Sequence, residues 1–252
     1  MSFSPPCVLA FAASDPSGGA GVQADLLTLS ALGCHALSVV TALTVQDTRG
    51  VHDVLPIPAR WVAEQARCVL DDIAAAAFKL GVLGSAENVH AVAGAVSAHA
   101  ELPLVVDPVL ASGRGDVLAA EDTIEALRRL VFPRTTVLTP NSIEAQRLGG
   151  VERILRTGCR YVLVTGTHQP GADVVNVLYS AHGVVRTDRW PRLPESYHGS
   201  GCTLAAALAA ALAKGHPVAD AAHEAQAYVW QALHAGFRPG GGQFIPNRFA
   251  RP

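Results

Sequence analysis

Residues 7–33 read CVLAFAASDPSGGAGVQADLLTLSALG. The apolar run over 7–13 has the length of a strand buried on both faces. A glycine-rich turn interrupts it, a helical stretch follows over 21–32, and Gly33 stands where a helix stop is expected. Strand, tight turn and helix make the first half of a βαβ unit. The alternation recurs outward from there. Runs at 36–44, 77–83, 103–106, 136–139 and 161–165 read as strands, and 61–75, 86–99 and 121–130 as helices. Segments 174–179 and 183–187 pair as an antiparallel hairpin, and 204–214 and 219–233 are the closing helices. The pattern predicts an α/β fold with a central, mostly parallel β-sheet flanked by α-helices on both faces.

The chain has 252 residues, 50% of them hydrophobic, with no repeat, low-complexity tract or linker, so 1–252 is read as a single domain. The Gly/Pro-rich end, RPGGGQFIPNRFARP, predicts an irregular tail. A net charge of −2 and only two lysines, Lys79 and Lys214, argue against a nucleic-acid or anionic-membrane partner. The five cysteines include no CxxC pair, which suits a reducing compartment better than a disulfide frame or a zinc knuckle. The first residues lack a basic segment, and the longest apolar stretch, 202–213, is about half of a membrane span of roughly 20 residues. These features predict a soluble cytoplasmic chain.

In a sheet of this kind ligands gather beyond the carboxyl ends of the strands. Asp15 to Gly21, Gln46, Gly81, Asp107, Asn141, Gly166 and Gly199 all follow a strand or precede a helix, which argues for one composite site. The turn SDPSGGAG lets backbone approach a ligand, although it is neither GxGxxG nor GxxxxGK[ST]. A tight turn capped by Asp15 or Ser17 is the plain alternative. HGSGCT, at 198–203, places two glycines before a helix N-terminus, where N–H groups and the helix dipole attract anions and tend to lower a thiol pKa such as that of Cys202. Asp107 and Glu144 each lie just past a strand and could face one crevice, enough for magnesium carried on ATP phosphates. The alternative puts Asp107 in a loop cap and Glu144 on a solvated helix face. The Gln46 amide offers a donor and an acceptor, suited to the edge of an aminopyrimidine, or it is a loop residue. Lys79 reads as a structural, paired lysine.

Seven segments in order carry a resemblance: SDPSGGAGVQADL (14–26), TALTVQDTRGV (41–51), KLGVLGS (79–85), VVDPVLASGRGDVL (105–118), TPNSIEA (139–145), VLVTGTH (162–168) and HGSGCTLAAALAA (198–210). Together they resemble hydroxymethylpyrimidine/phosphomethylpyrimidine kinases of the ribokinase-like superfamily, over nearly the whole chain. The resemblance implies two successive ATP-dependent phosphorylations on the route to thiamine, first of the hydroxymethyl group and then of the monophosphate. It places Cys202 where related sugar kinases carry an aspartate base, and Gly199, Ser200 and Gly201 at an anion hole. Gln46 would read the pyrimidine edge, with Ala20, Gly21 and Val82 beside the ring and Asp25 on the substrate side. Asp107 and Glu144 match the metal region, and Asn141, Thr165 and Gly166 the nucleotide side. ATP and Mg2+ are the implied cofactors, and a homodimer the implied assembly.

The chain departs from this pattern in three places. Residues 149–160 form a shortened crossover, Thr165 stands where many relatives have lysine, and Val82 replaces a common methionine. Two other functions stay open: a pyridoxine or pyridoxal kinase, and a non-catalytic pyrimidine-binding protein. Segments 47–58 and 111–117 read as flaps that exclude water. A largely neutral thiol at Cys202 would tolerate an anionic second acceptor that a fixed carboxylate would repel.

Overall fold

The computed structural model describes residues 4–110 and 119–250. Its elements run β1 (Cys7–Ser14), α1 (Gly21–Ala31), β2 (His35–Asp47), β3 (Gly50–Pro56), α2 (Ala59–Asp72), β4 (Ala77–Leu80), α3 (Ala86–Ser97) and β5 (Leu104–Val106). After them come α4 (Glu121–Ala126), β6 (Val137–Leu138), α5 (Ser142–Arg147), α6 (Val151–Arg156), β7 (Tyr161–Val164), β8 (Asp173–Ser180), β9 (Gly183–Pro191), α7 (Ser200–Ala213) and α8 (Val218–His234). The strands form one sheet in the order β3-β2-β1-β4-β5-β6-β7-β8-β9. From β2 to β7 neighbours are parallel, and β3, β8 and β9 are attached by antiparallel pairing. The expected α/β architecture is therefore the one observed.

Alternate strand residues serve opposite layers, as a period of two requires. Leu9, Phe11, Phe78, Leu80 and Val106 pack with α2, α3 and α4 through Val62, Val89, Val92 and Ile124. Val8, Ala77, Val105 and Val137 face the other way, onto Leu29 of α1, Leu208 of α7 and Ala221 of α8. Helix α7 is buried along Thr203–Leu212, nearly all alanine and leucine. A helix apolar all round belongs inside a core, and its alanines permit close approach to the sheet.

The strand order reverses between β1 and β4, the switch point at which open α/β sheets place their ligands. The turns after β1 and β4 and the start of α7 meet there.

The structure adds detail to several expectations. Segment 47–58, expected as a flap, carries β3, which is paired along β2 from Ala42↔Pro56 to Asp47↔Gly50. The other expected flap, 111–117, lies outside the described residues. The helix expected over 121–130 is α-helical only to Ala126, then widens to a π turn and tightens to a 3-10 turn at Phe132–Arg134, where Pro133 cannot continue the α pattern. The short crossover keeps the short helix α6, and β6 and β7 stay parallel neighbours. The tail is not wholly irregular: Phe244 bridges Tyr197, Ile245 bridges Phe237, and the Gln243 N–H donates to the Thr48 carbonyl. Among the described residues, no helix is long and apolar enough to cross a membrane.

Candidate active site

The turn after β1 is organised around Asp15, which is 2% exposed. Its Oδ1 accepts the Ser17 N–H at 2.8 Å, and its Oδ2 accepts the Ala20 N–H at 2.7 Å and the Ser17 hydroxyl at 3.0 Å. His198 Nε2 lies 2.8 Å from the same Oδ2. Burial alone would raise the Asp15 pKa, but the bonds from His198, Ser17 and Ala20 outweigh it and hold the carboxyl below its ordinary value. The turn is thus both of the things its sequence suggested, an aspartate-capped bend and a backbone surface at the sheet's carboxyl edge. Gly21 has φ +61, and a Cβ there would lie 2.3 Å from the Ala13 carbonyl, so only glycine fits.

Helix α7 begins at Ser200 behind Gly199, whose φ is +84 and whose Cβ would sit 1.8 Å from the Gly19 carbonyl. The two glycine turns therefore touch backbone to backbone. Beneath them lies Lys79, fully enclosed, with Nζ 2.8 Å from Asp25 Oδ1 and 2.9 Å from Oδ2. Burial works against the ammonium, yet the carboxylate of Asp25, then Cys202 and Asp107, hold its pKa above the ordinary value. Asp25, expected on the substrate side, is 0% exposed and spends its carboxylate on Lys79. It supports the floor of the site from behind.

Cys202 corrects an expectation. A helix start should lower a thiol pKa, but burial pushes it up to about 11. Lys79 and the Gly21 N–H oppose that rise, while Asp107 and Asp25 add to it. The thiol is neutral near pH 7. Asp107, 6% exposed, faces the same helix start, its Oδ2 3.4 Å from where a Gly201 Cβ would stand. Burial, with the Glu144 and Asp25 carboxylates added, pushes its pKa up to about 7 against the pull of Lys79 and the Val109 N–H.

On the far side of the crevice, Asn141 caps α5 by accepting the N–H groups of Ile143 and Glu144, each at 2.9 Å. Glu144 returns the capping box through Oε2 to the Asn141 N–H and accepts the Leu110 N–H at Oε1, both at 3.0 Å. It is buried, not on a solvated face, and burial raises its pKa. Thr165 pairs with Asn141 through backbone, and the Gly166 N–H donates to Asn176 Oδ1 at 3.0 Å. Ala20 and Val82 are half-buried at the ends of the two turns, and Thr41 Oγ1 donates to the Val82 carbonyl. Gln46 lies in β2 rather than in a loop, with its amide nitrogen 2.8 Å from His198 Nε2.

The structure therefore gathers Ala20, Gly21, Gln46, Lys79, Asp107, Gly199, Ser200, Gly201 and Cys202 at one switch point. Sequence reading missed Arg248. This tail residue is 3% exposed, and its guanidinium donates to the Gly19 carbonyl at 2.5 Å, the Gly18 carbonyl at 3.4 Å and Thr203 Oγ1 at 3.1 Å. It clamps the first glycine turn onto α7. One of three arginines in a Gly/Pro-rich segment gives no local signal of this.

Known proteins resemble the chain in sequence and fold. The family model for phosphomethylpyrimidine kinase matches residues 15–247. A hydroxymethylpyrimidine/phosphomethylpyrimidine kinase of Streptomyces coelicolor is 43% identical over 94% of this chain and 92% of its own. Among solved structures, Staphylococcus aureus pyridoxal kinase in complex with AMP-PCP and pyridoxal superposes with a TM-score of 0.88 at 29% identity, covering 98% of this chain and 95% of that one. A Clostridium difficile phosphomethylpyrimidine kinase gives a TM-score of 0.78 at 32% identity over 90% of this chain and 99% of that one.

Proposed function

The chain belongs to the phosphomethylpyrimidine kinase family, and on that premise we propose that it moves the γ-phosphoryl of ATP onto 4-amino-5-hydroxymethyl-2-methylpyrimidine and then onto the resulting monophosphate, on the route to thiamine. The observation that carries this reading is the meeting of Gln46, the two glycine turns and the neutral thiol of Cys202 above the Lys79–Asp25 pair. Gln46 offers the pyrimidine edge a donor and an acceptor. Ala20, Gly21 and Val82 line the ring.

The first turn of α7 presents the N–H groups of Ser200, Gly201 and Cys202 ahead of the first helical bond, Thr203 N–H to the Gly199 carbonyl. Such groups, with the helix dipole behind them, stabilise charge on a migrating phosphoryl. Phosphoryl transfer passes through a loose transition state, so positioning matters more than a strong base. A thiol that stays neutral orients the acceptor hydroxyl without repelling an acceptor phosphate.

Two buried carboxylates with raised pKa values form an oxygen donor set that fits magnesium, a cation that keeps most of its waters and takes one or two carboxylates. Asp107 would hold it directly and Glu144 through water, since both Glu144 oxygens already accept backbone N–H groups. Bound there, magnesium would neutralise phosphate charge. Asn141 and the Thr165–Gly166 segment border the nucleotide side. The five cysteines are free thiols, consistent with a cytoplasmic enzyme. A homodimer is supported by the β2–β3 edge, where Leu43, Val45 and Leu55 are 47%, 60% and 63% exposed, with Leu43 paired opposite Leu55.

The test is a discontinuous assay with ATP, magnesium and the hydroxymethylpyrimidine, resolving mono- and diphosphate by chromatography. Both products are expected. Monophosphate alone, with faster turnover of pyridoxal, would turn the assignment to a pyridoxal kinase, the activity named for the S. aureus neighbour. Pyrimidine binding with no product would leave a non-catalytic binder.

A further inference from the structure

His198 Nε2 stands 2.8 Å from Asp15 Oδ2 and also 2.8 Å from the Gln46 amide nitrogen. One ring nitrogen cannot donate to the first and accept from the second at once. Asp15 decides between them. Its Oδ1 and Oδ2 already accept two backbone N–H groups and the Ser17 hydroxyl, and these bonds keep it an acceptor-only carboxylate. The imidazole must therefore carry its proton on Nε2. The Gln46 atom facing that N–H must then be the amide oxygen, because amide oxygen and nitrogen are assigned by partners rather than by shape. Among the described residues His198 is the hydrogen-bond partner of this amide.

The imidazole has no freedom to turn away. Its Cδ2 edge points at residue 19, 2.3 Å from where a Cβ there would be, so the absent Gly19 side chain leaves just the room that the ring fills. Its own backbone N–H is fixed to the Phe244 carbonyl at 2.8 Å.

Resting on the pyrimidine reading above, we propose that His198, oriented by Asp15, is the residue that sets ring specificity, by fixing the donor–acceptor order of the Gln46 amide. An unrestrained glutamine amide can flip and present either order. With the oxygen pinned toward His198, the NH2 group donates to the ligand and the oxygen's second lone pair accepts from it, always in that sequence. An aminopyrimidine beside its hydroxymethyl arm offers an exocyclic amine, a donor, and then a ring nitrogen, an acceptor. Pyridoxal offers at the same two places a carbonyl, an acceptor, and then a ring oxygen that is ionised near pH 7, again an acceptor. The fixed amide oxygen therefore meets a donor on the pyrimidine and an acceptor on pyridoxal, which leaves the second edge with a mismatched pair. Sites built to hydrogen-bond a substrate discriminate strongly, because a mismatch leaves buried groups unpaired.

The experiment compares kcat/KM for the hydroxymethylpyrimidine and for pyridoxal in wild type, His198→Phe and His198→Gln. Phenylalanine keeps a planar ring in the space beside Gly19 and removes the N–H, whereas glutamine returns an amide N–H near the place of Nε2. His198→Phe should lower the pyrimidine-to-pyridoxal ratio about tenfold, mostly through KM for the pyrimidine, and His198→Gln should restore much of it. Merely structural damage would lower both substrates alike and leave the ratio unmoved, and that result would overturn the proposal. Nitrogen-15 spectra of the wild-type free enzyme give a second answer that needs no variant and no turnover. A protonated His198 Nε2 supports the assignment, and an unprotonated Nε2 overturns it. If wild type phosphorylates neither compound, the functional reading fails while the spectra still decide the His198–Gln46 geometry.

Discussion

Replacing Asp107 with asparagine should make the chain more stable at alkaline pH and much less active. Burial, then the Glu144 and Asp25 carboxylates, push the Asp107 pKa from 3.8 to about 7 against Lys79 and the Val109 N–H. The folded state thus holds this proton more tightly than the unfolded chain does. The stability it contributes is whole below about pH 4, declines as pH rises between the unfolded and folded values, and is gone above pH 7. At about 1.4 kcal/mol for each pKa unit, the loss by pH 8 amounts to about 4 kcal/mol. Asparagine has no proton to lose and can still accept the Val109 N–H.

Urea unfolding followed by circular dichroism should therefore show Asp107→Asn ahead of wild type by up to about 4 kcal/mol at pH 8, with the gap falling to roughly 1–2 kcal/mol at pH 5. ADP formation by the same variant should fall by about a hundredfold or more if Asp107 organises the phosphates. A variant no more stable than wild type at pH 8, or a gap that does not shrink on acidification, would refute the reasoning. The expected outcome, stability gained and activity lost, is the pattern of a group kept for chemistry at the expense of the fold.

Lys79→Met leaves the Asp25 carboxylate enclosed without its counter-ion and should destabilise by about 3–5 kcal/mol, while Lys79→Met with Asp25→Leu should regain most of this in thermal denaturation; equal losses in the single and double variants would contradict the buried pair. Cys202→Asp places a carboxylate beside the acceptor and should slow the second phosphorylation about tenfold more than the first, with each product followed separately; equal slowing would refute charge as the reason for a thiol. Arg248→Ala should lower kcat by about 10–100-fold with a smaller effect on KM, and added guanidinium ion should restore part of it; an unchanged melting temperature with no rescue would show that Arg248 does not position the glycine turn.

The sheet was readable because its strands are short apolar runs separated by glycine turns, so local pattern and final position agree. Asp107 and the start of α7 were readable for the same reason: strand ends and helix starts are local events that topology then brings together. What was not readable depends on contacts across the chain. The segment 47–58 reads as a flap because a kinase must exclude water, and its sequence does not announce that its backbone pairs with β2 from Gly50 to Pro56. The lowered thiol expected at Cys202 follows from the helix start alone; burial, with carboxylates from the end of β5 and from α1 added, reverses it. Arg248 is separated by 229 residues from the carbonyl it clamps, and nothing in RPGGGQFIPNRFARP announces that reach.

Thr165, where the resemblance implies a lysine in many relatives, raises the question of how phosphate charge is met. Nearby cations among the described residues are already committed. Lys79 is enclosed with Asp25, and Arg248 is spent on the Gly18 and Gly19 carbonyls and Thr203. Arg192 donates through Nε, Nη1 and Nη2 to the carbonyls of Gly171, Thr167 and Gln169, stitching the loop that follows Thr165. Each of these side chains shapes a turn at the site instead of reaching into it. On the proposed reading the phosphates are met by the N–H groups at the start of α7, fixed before the nucleotide arrives, and by magnesium that Asp107 would help to hold. Preorganised dipoles of this kind need no side-chain reorganisation during transfer. A helix with alanine on every side, buried against the sheet, is what brings such an N-terminus to the switch point. On the same reading, part of the charge that a flexible side chain would carry is supplied by backbone fixed in the core.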